Sequence, residues 1–125
     1  MVKEGLYYSK EHEWVRVEDD IAVIGITDYA QSELGDMVFI ELPQVGRKVK
    51  AMEAAATIEA VKAVADVYSP VSGEIIEVNE ALKNDPSPIN SDPYGAGWIF
   101  KVKMENPDEL KDLLSPDDYR KLIGE

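Results

Sequence analysis

The 125-residue chain contains no cysteine and only one histidine, His12. Disulfide staples and a cysteine nucleophile are therefore excluded, and structural zinc and iron–sulfur sites, which need several Cys or His ligands, are excluded with them. A Ser-His-Asp arrangement would have to be built on His12, and no Gly-x-Ser-x-Gly turn exists to present a serine. Any redox role must come from imported chemistry. No run approaches the roughly 18 apolar residues of a membrane span, and Met1–Tyr8 lacks the apolar centre of a signal peptide. The chain reads as cytoplasmic. Basic residues are scarce too: 13 Lys and Arg against 25 Asp and Glu give a net charge of −12. Such a surface repels phosphate backbones and anionic headgroups, so nucleic acid and membrane drop out as partners. The same charge opposes self-association and favours a monomer.

What is present suffices for one core. A chain of this length fits a single domain, residues 1–125, and its 45% hydrophobic content can bury a core without staples. Val15 and Val17 alternate with Arg16 and Glu18, and after the acidic turn Glu18-Asp19-Asp20 the run Ile21–Ile26 completes a predicted hairpin. A short helix follows from Thr27 or Asp28, with Gln31 closing a capping box on Asp28 and Gly35 ending it. Val38, Ile40 and Leu42 form the next strand. Residues 54–67 are rich in alanine, yet Thr57, Ile58, Val61, Val64 and Val67 are β-branched and turns follow at Ser69-Pro70 and Ser72-Gly73, so a hairpin is expected rather than a helix. Residues 74–78 resume a strand, Asn79–Leu82 forms one helical turn, residues 85–93 are loop, and Trp98–Val102 is the last strand. Asn106-Pro107-Asp108-Glu109 and Ser115-Pro116-Asp117-Asp118 each read as a helix start, giving two short C-terminal helices at about 107–123. The expected fold is mostly β, a flattened antiparallel sandwich or barrel with peripheral helices.

One segment departs from ordinary strand and turn. In Ile58-Glu59-Ala60-Val61-Lys62-Ala63-Val64-Ala65-Asp66 a lone lysine stands among small and apolar neighbours, near a hairpin tip. Most lysines are solvated surface residues. A lysine on a rigid turn also offers its amine for modification, as a flexible arm on a stiff base, and acylation would remove its charge.

Taken in order around Lys62, several segments resemble the H-protein family of the glycine cleavage system, a relative of lipoyl and biotinyl carrier domains. They are His12-Glu13-Trp14-Val15, Ile24-Gly25-Ile26-Thr27-Asp28, Gly35-Asp36-Met37-Val38-Phe39, Leu42-Pro43, Ser69–Glu74, Glu77-Val78-Asn79 and Asn90–Trp98. Biotin carriers resemble Met-Lys-Met at the tip, whereas Val61-Lys62-Ala63 favours lipoate. The resemblance implies a carrier and not an enzyme, with lipoate joined through an amide to Lys62. It also implies three enzymes visited in turn: a pyridoxal-phosphate glycine decarboxylase, a tetrahydrofolate-dependent aminomethyltransferase and a flavin dihydrolipoamide dehydrogenase. A lipoate ligase or lipoyltransferase would load the arm, recognising Glu59 and Gly46. The loaded arm would fold into a cleft formed by Glu13, Ile26, Leu34 and Asp66. For Ile26 and Leu34 the competing reading is ordinary core, and for Glu13 and Asp66 a solvated carboxylate. His12 is given no role, and no metal is expected. Beside the arm, Ala60 and Ala65 stand where the family usually has Ser, and Met52–Ala56 replaces its usual upstream stretch. A lipoyl carrier in another pathway, such as sulfur oxidation, and an unmodified interaction module of the same fold are the rival readings.

Overall fold

The expected first hairpin is present in the computed structural model, which describes residues 1–125. Strands β1 (Tyr7–Tyr8), β2 (Glu13–Glu18) and β3 (Ile21–Ile26) come first, then helix α1 (Asp28–Leu34) and β4 (Met37–Glu41). After β5 (Lys48–Val49), β6 (Glu53–Ala60) and β7 (Val64–Ser69) form the alanine-rich hairpin, followed by β8 (Gly73–Val78). Helices α2 (Ala81–Asn84) and α3 (Pro88–Ser91), β9 (Phe100–Met104), a 3₁₀ helix (Pro107–Asp112) and α4 (Pro116–Ile123) complete the chain.

Two open antiparallel sheets result, one ordered β1-β2-β3-β9-β8-β5 and the other β4-β6-β7. They enclose a cluster of 21 buried apolar residues, to which β3 supplies Ala22, Ile24 and Ile26 and the second sheet supplies Ile40, Ile58 and Val67. The intervening β3 residue Val23 faces the opposite way, into a second cluster with Val2, Leu6, Tyr8, Trp14, Tyr94 and Tyr119. Both faces of β3 are thus buried, which explains its continuous apolar run without alternation. Tyr119 of α4 stacks on Tyr8 at 4.6 Å and 9°, so the C-terminal helix seals the outer face of the larger sheet.

Several local expectations are corrected. Thr27, not Asp28, caps α1, its side chain accepting from Ala30 N at 3.2 Å, while Gln31 Nε2 donates to Asp28 Oδ1 within the helix. The helical turn begins two residues later than Asn79, because the Asn79 amide is committed to Ala96 and Trp98 carbonyls. The segment expected as loop contains α3, whose Ile89 is fully buried. The last strand starts at Phe100, not Trp98. Of the two C-terminal helices the first is 3₁₀: Asn106 makes no side-chain cap, and Glu109 accepts instead from Ser72 N and Ser72 Oγ, both at 2.8 Å. Ser115 does cap α4 by accepting from Asp118 N.

Candidate functional site

The β6–β7 register pairs Thr57 with Asp66, Ile58 with Ala65 and Glu59 with Val64. Ala60 N donates to Ala63 O at 2.9 Å, leaving Val61 and Lys62 as the tip. Neither tip residue has positive φ, so this is not one of the primed turns whose twist suits a two-residue hairpin loop. The tip is held from outside. Val61 N donates to Asp36 O and Lys62 N to Leu34 O, each at 3.0 Å.

Those carbonyls flank Gly35, which has φ 81 and ψ −165, a conformation open essentially to glycine alone. Gly35 N donates to Gln31 O, ending α1, and its Cα faces the lysine stem: a methyl group there would stand 3.4 Å from Lys62 Cγ. Asn90 of α3 clamps the same corner from below. Its Nδ2 donates to Gly35 O at 3.0 Å and Gln31 Oε1 at 2.9 Å, and its Oδ1 accepts from Met37 N at 2.9 Å. The base of Lys62 is therefore fixed through three elements, while its side chain is exposed and enters none of the chain's ion pairs. The two principal cavities, about 390 and 440 Å³, are lined by other residues. An exposed primary amine on a rigid base is suited to being modified and presented.

The remaining predicted residues fall at different distances from this amine. Leu34 is half-buried and joined to Lys62 by the backbone bond. Ile26 is 4% exposed and belongs to the main core, as the cross-strand partner of Glu13. Glu13 is not a solvated carboxylate, being 1% exposed. Its Oε1 accepts from Ser9 Oγ at 2.5 Å and its Oε2 from Tyr68 N at 3.2 Å, which ties β2 to the edge of β7. Burial pushes the Glu13 carboxyl up to about 8, against the opposing pull of those two donors. Asp66 is exposed two residues before Tyr68 and accepts from Thr57 Oγ1 at 3.2 Å.

Glu59 is exposed on the outer face of the smaller sheet, in one row with Phe39 and Val64. Gly46 lies elsewhere, in the turn before β5, with φ 96 and its N–H on Ile75 O. The adjacent Arg47 bonds Ala54 O at the start of β6, and at about 3.3 Å per residue β6 separates that end from the tip by roughly 20 Å. His12, given no role from sequence, places Nδ1 2.8 Å from the Tyr119 hydroxyl, which also lies 2.7 Å from Thr27 Oγ1. Burial lowers the His12 pKa. The C-terminal helix is thereby bonded to the cap of α1. Sequence reasoning missed Gly35 as a contact of the lysine and Asn90 as its buttress. The only signal for either was position within family-like segments.

Comparison with known proteins bears on this geometry. The family described as glycine cleavage H-protein matches residues 6–125. A glycine cleavage system H protein of Coprothermobacter proteolyticus is 55% identical over 125 residues, covering 99% of this chain and 98% of the relative. That of Chlorobaculum parvum is 56% identical, covering 99% and 98%. The crystal structure of a glycine cleavage system H protein from Mycobacterium marinum superposes with a TM-score of 0.92 at 37% identity, covering 99% of this chain and all of that one.

Proposed function

Since the chain belongs to the glycine cleavage H-protein family, we propose that lipoate is joined by an amide to Lys62. The lipoyl carrier role in the glycine cleavage system follows from the family. The observation that carries the Lys62 assignment is the exposed, unpaired amine on a tip pinned to the Leu34 and Asp36 carbonyls. Acylation balances simply: the bond from the activated lipoyl carbonyl to its leaving group breaks and a C–N bond forms at Nζ. The protons shed by the ammonium pass to the leaving group and solvent. When bound, the dithiolane supplies the sulfur chemistry that accepts a one-carbon amine and is later reoxidised, which a cysteine-free chain cannot provide.

The chain's own residues position and shelter. Gly35 supports the stem, and Leu34 offers apolar surface beside it. Asp66 supplies the anionic partner for a loaded amine. Glu13, 1% exposed with its oxygens taken by Ser9 Oγ and Tyr68 N, and Ile26, 4% exposed, underlie the site rather than line it. Glu59, on the face that carries Lys62, is the ligase contact, and Gly46 serves its turn. The chain is a carrier and not an enzyme, visiting a glycine decarboxylase, a tetrahydrofolate-dependent aminomethyltransferase and a dihydrolipoamide dehydrogenase, with its −12 charge steering encounters with basic surfaces.

The test is glycine–bicarbonate exchange by purified decarboxylase. The lipoylated chain should stimulate exchange, and Lys62→Arg, prepared identically, should not. Equal stimulation by Lys62→Arg would reject the attachment site. Absence of stimulation by a chain verified to be lipoylated would place the arm in another pathway.

A further inference from the structure

The two carbonyls that hold the lysine tip are themselves held on their far sides. A peptide unit is planar, so an N–H fixed at one edge orients the C=O at the other. Asp36 O, which accepts from Val61 N, shares its peptide with Met37 N, and that N–H donates to Asn90 Oδ1 at 2.9 Å. Leu34 O, which accepts from Lys62 N, shares its peptide with Gly35 N, which donates to Gln31 O at 3.0 Å. Between them, Gly35 O accepts from Asn90 Nδ2 at 3.0 Å. Each of the three consecutive peptides from Leu34 to Met37 is therefore bonded to Asn90 or to Gln31. The side chains of those two residues are in turn joined in a fixed direction. Asp28, an acceptor when ionised, takes Gln31 Nε2 on Oδ1 at 3.0 Å, which leaves Gln31 Oε1 to accept from Asn90 Nδ2 at 2.9 Å. Asn90 must then turn Oδ1 toward Met37, where the N–H needs an acceptor. Both ends of this chain demand the same amide orientation, and the carboxylate at its head polarises the bonds that follow.

Taking the lipoyl-lysine reading as its basis, we infer that Asn90 is a positioning residue for acylation of Lys62, with Gln31 and Asp28 setting the orientation of its amide. Asn90 acts on the lysine through the backbone and not on the amine. The tip needs support of this kind, because neither Val61 nor Lys62 has the positive φ that would let the turn fix its own twist. The hairpin's own last bond runs from Ala60 N to Ala63 O, and the N–H groups of both tip residues leave the hairpin for the corner that Asn90 holds. The lysine stem is flexible, so the position of its Cα sets the volume its amine can reach. A shift of that backbone moves every rotamer of the stem together, away from the geometry in which an acyl carbonyl is attacked.

The experiment compares the unmodified parental chain with Asn90→Asp, Gln31→Ala and Ser115→Ala in two readouts. One is amide hydrogen exchange followed by NMR, and the other is the initial rate of lipoylation by a purified lipoate ligase with ATP and lipoic acid, read as intact mass. Asn90→Asp keeps the side chain's size and its acceptor for Met37 N but removes both donated bonds. It is expected to speed exchange of the Val61 and Lys62 N–H groups about tenfold relative to Ile75 N–H, which is bonded to Arg47 O in the other sheet. It should also lower kcat about tenfold with little change in KM for the acceptor, as misplacement of a reacting group does. Gln31→Ala leaves Asn90 its Gly35 and Met37 bonds, so the same pattern is expected at about threefold, and it carries the test should Asn90→Asp not fold. Ser115→Ala removes the cap of α4 and should lower stability while keeping parental tip exchange and kcat. Parental kcat in the clamp variants would overturn the positioning role, even with a raised KM, since less folded acceptor alone raises the apparent KM. Loss of kcat with parental exchange at Val61 and Lys62 would overturn it as well, because the effect would then arise away from the tip. Failure of the parental chain to be acylated at Lys62 would instead sink the lipoyl-lysine reading itself.

Discussion

The two sheets treat their outer faces oppositely. The outer face of the six-stranded sheet is closed by the chain's own termini: Tyr8, Trp14 and Tyr119 are fully buried there, and the Tyr119 hydroxyl meets both His12 and Thr27. The outer face of the three-stranded sheet is bare and keeps Val38, Phe39 and Val64 in water. Burying side chains of that kind is worth about 1.5–3 kcal/mol each, so a chain folding for stability alone would cover both faces. One face therefore holds the molecule together and the other is kept open beside the lysine. Bonds from the closed side reach the open one through the cap of α1 and its last carbonyls.

Substitutions can break this contrast. The largest effect is expected on the closed face: Tyr119→Ala should cost about 3–5 kcal/mol in denaturant unfolding, with no loss of ligation in the fraction that remains folded. Next is the buried carboxyl that joins the two sheets. An unfolded chain ionises Glu13 near 4.5, whereas the folded chain keeps the proton to about 8. Between those values the folded state binds more protons, so Glu13 costs stability progressively as pH rises from 4.5 to 8, and the loss is complete above 8. At about 1.4 kcal/mol per pH unit the cumulative effect is on the order of a few kcal/mol. The Glu13→Gln variant should lack this slope in paired unfolding curves; parallel curves would reject a raised Glu13.

Two smaller changes sharpen the contrast at the lysine. Gly35→Ala forces a side chain into a glycine-only conformation and should cost about 1–3 kcal/mol, slowing lipoylation because relief of that strain shifts the Leu34 and Asp36 carbonyls that hold the tip. A variant as stable and as readily lipoylated as the parent would remove Gly35 from the site. Asp66→Ala, at an exposed position, should change stability by less than about 0.5 kcal/mol while shortening the lifetime of the aminomethyl-loaded form. An unaltered hydrolysis rate would take Asp66 out of the cleft.

What could be read in the sequence follows the range of the forces involved. The β6–β7 hairpin was legible despite its alanines because Thr57, Ile58, Val64 and Val67 are β-branched and turn residues follow. Lys62 was legible as a tip residue for the same reason. The two-residue strands β1 and β5 were not, since so short a segment has no period to detect. Helix α3 was hidden behind Asp85-Pro86-Ser87-Pro88, where proline reads equally as a turn or a first helical residue. For the residues that the resemblance assigns to a cleft, spacing shows neither that Glu13 is buried against Ser9 and Tyr68 nor that Ile26 faces the core. The pinning of Lys62 by Leu34, Gly35 and Asn90 joins residues far apart in the chain, which no local pattern encodes.

The central claim, that the rigid tip presents Lys62 for lipoylation, is tested most directly by intact mass and tryptic mapping after expression in a lipoate-supplemented host with an active ligase. A single lipoyl adduct on Lys62, absent from Lys62→Arg, is the predicted result. An unmodified chain, or an adduct on any other lysine, would contradict it.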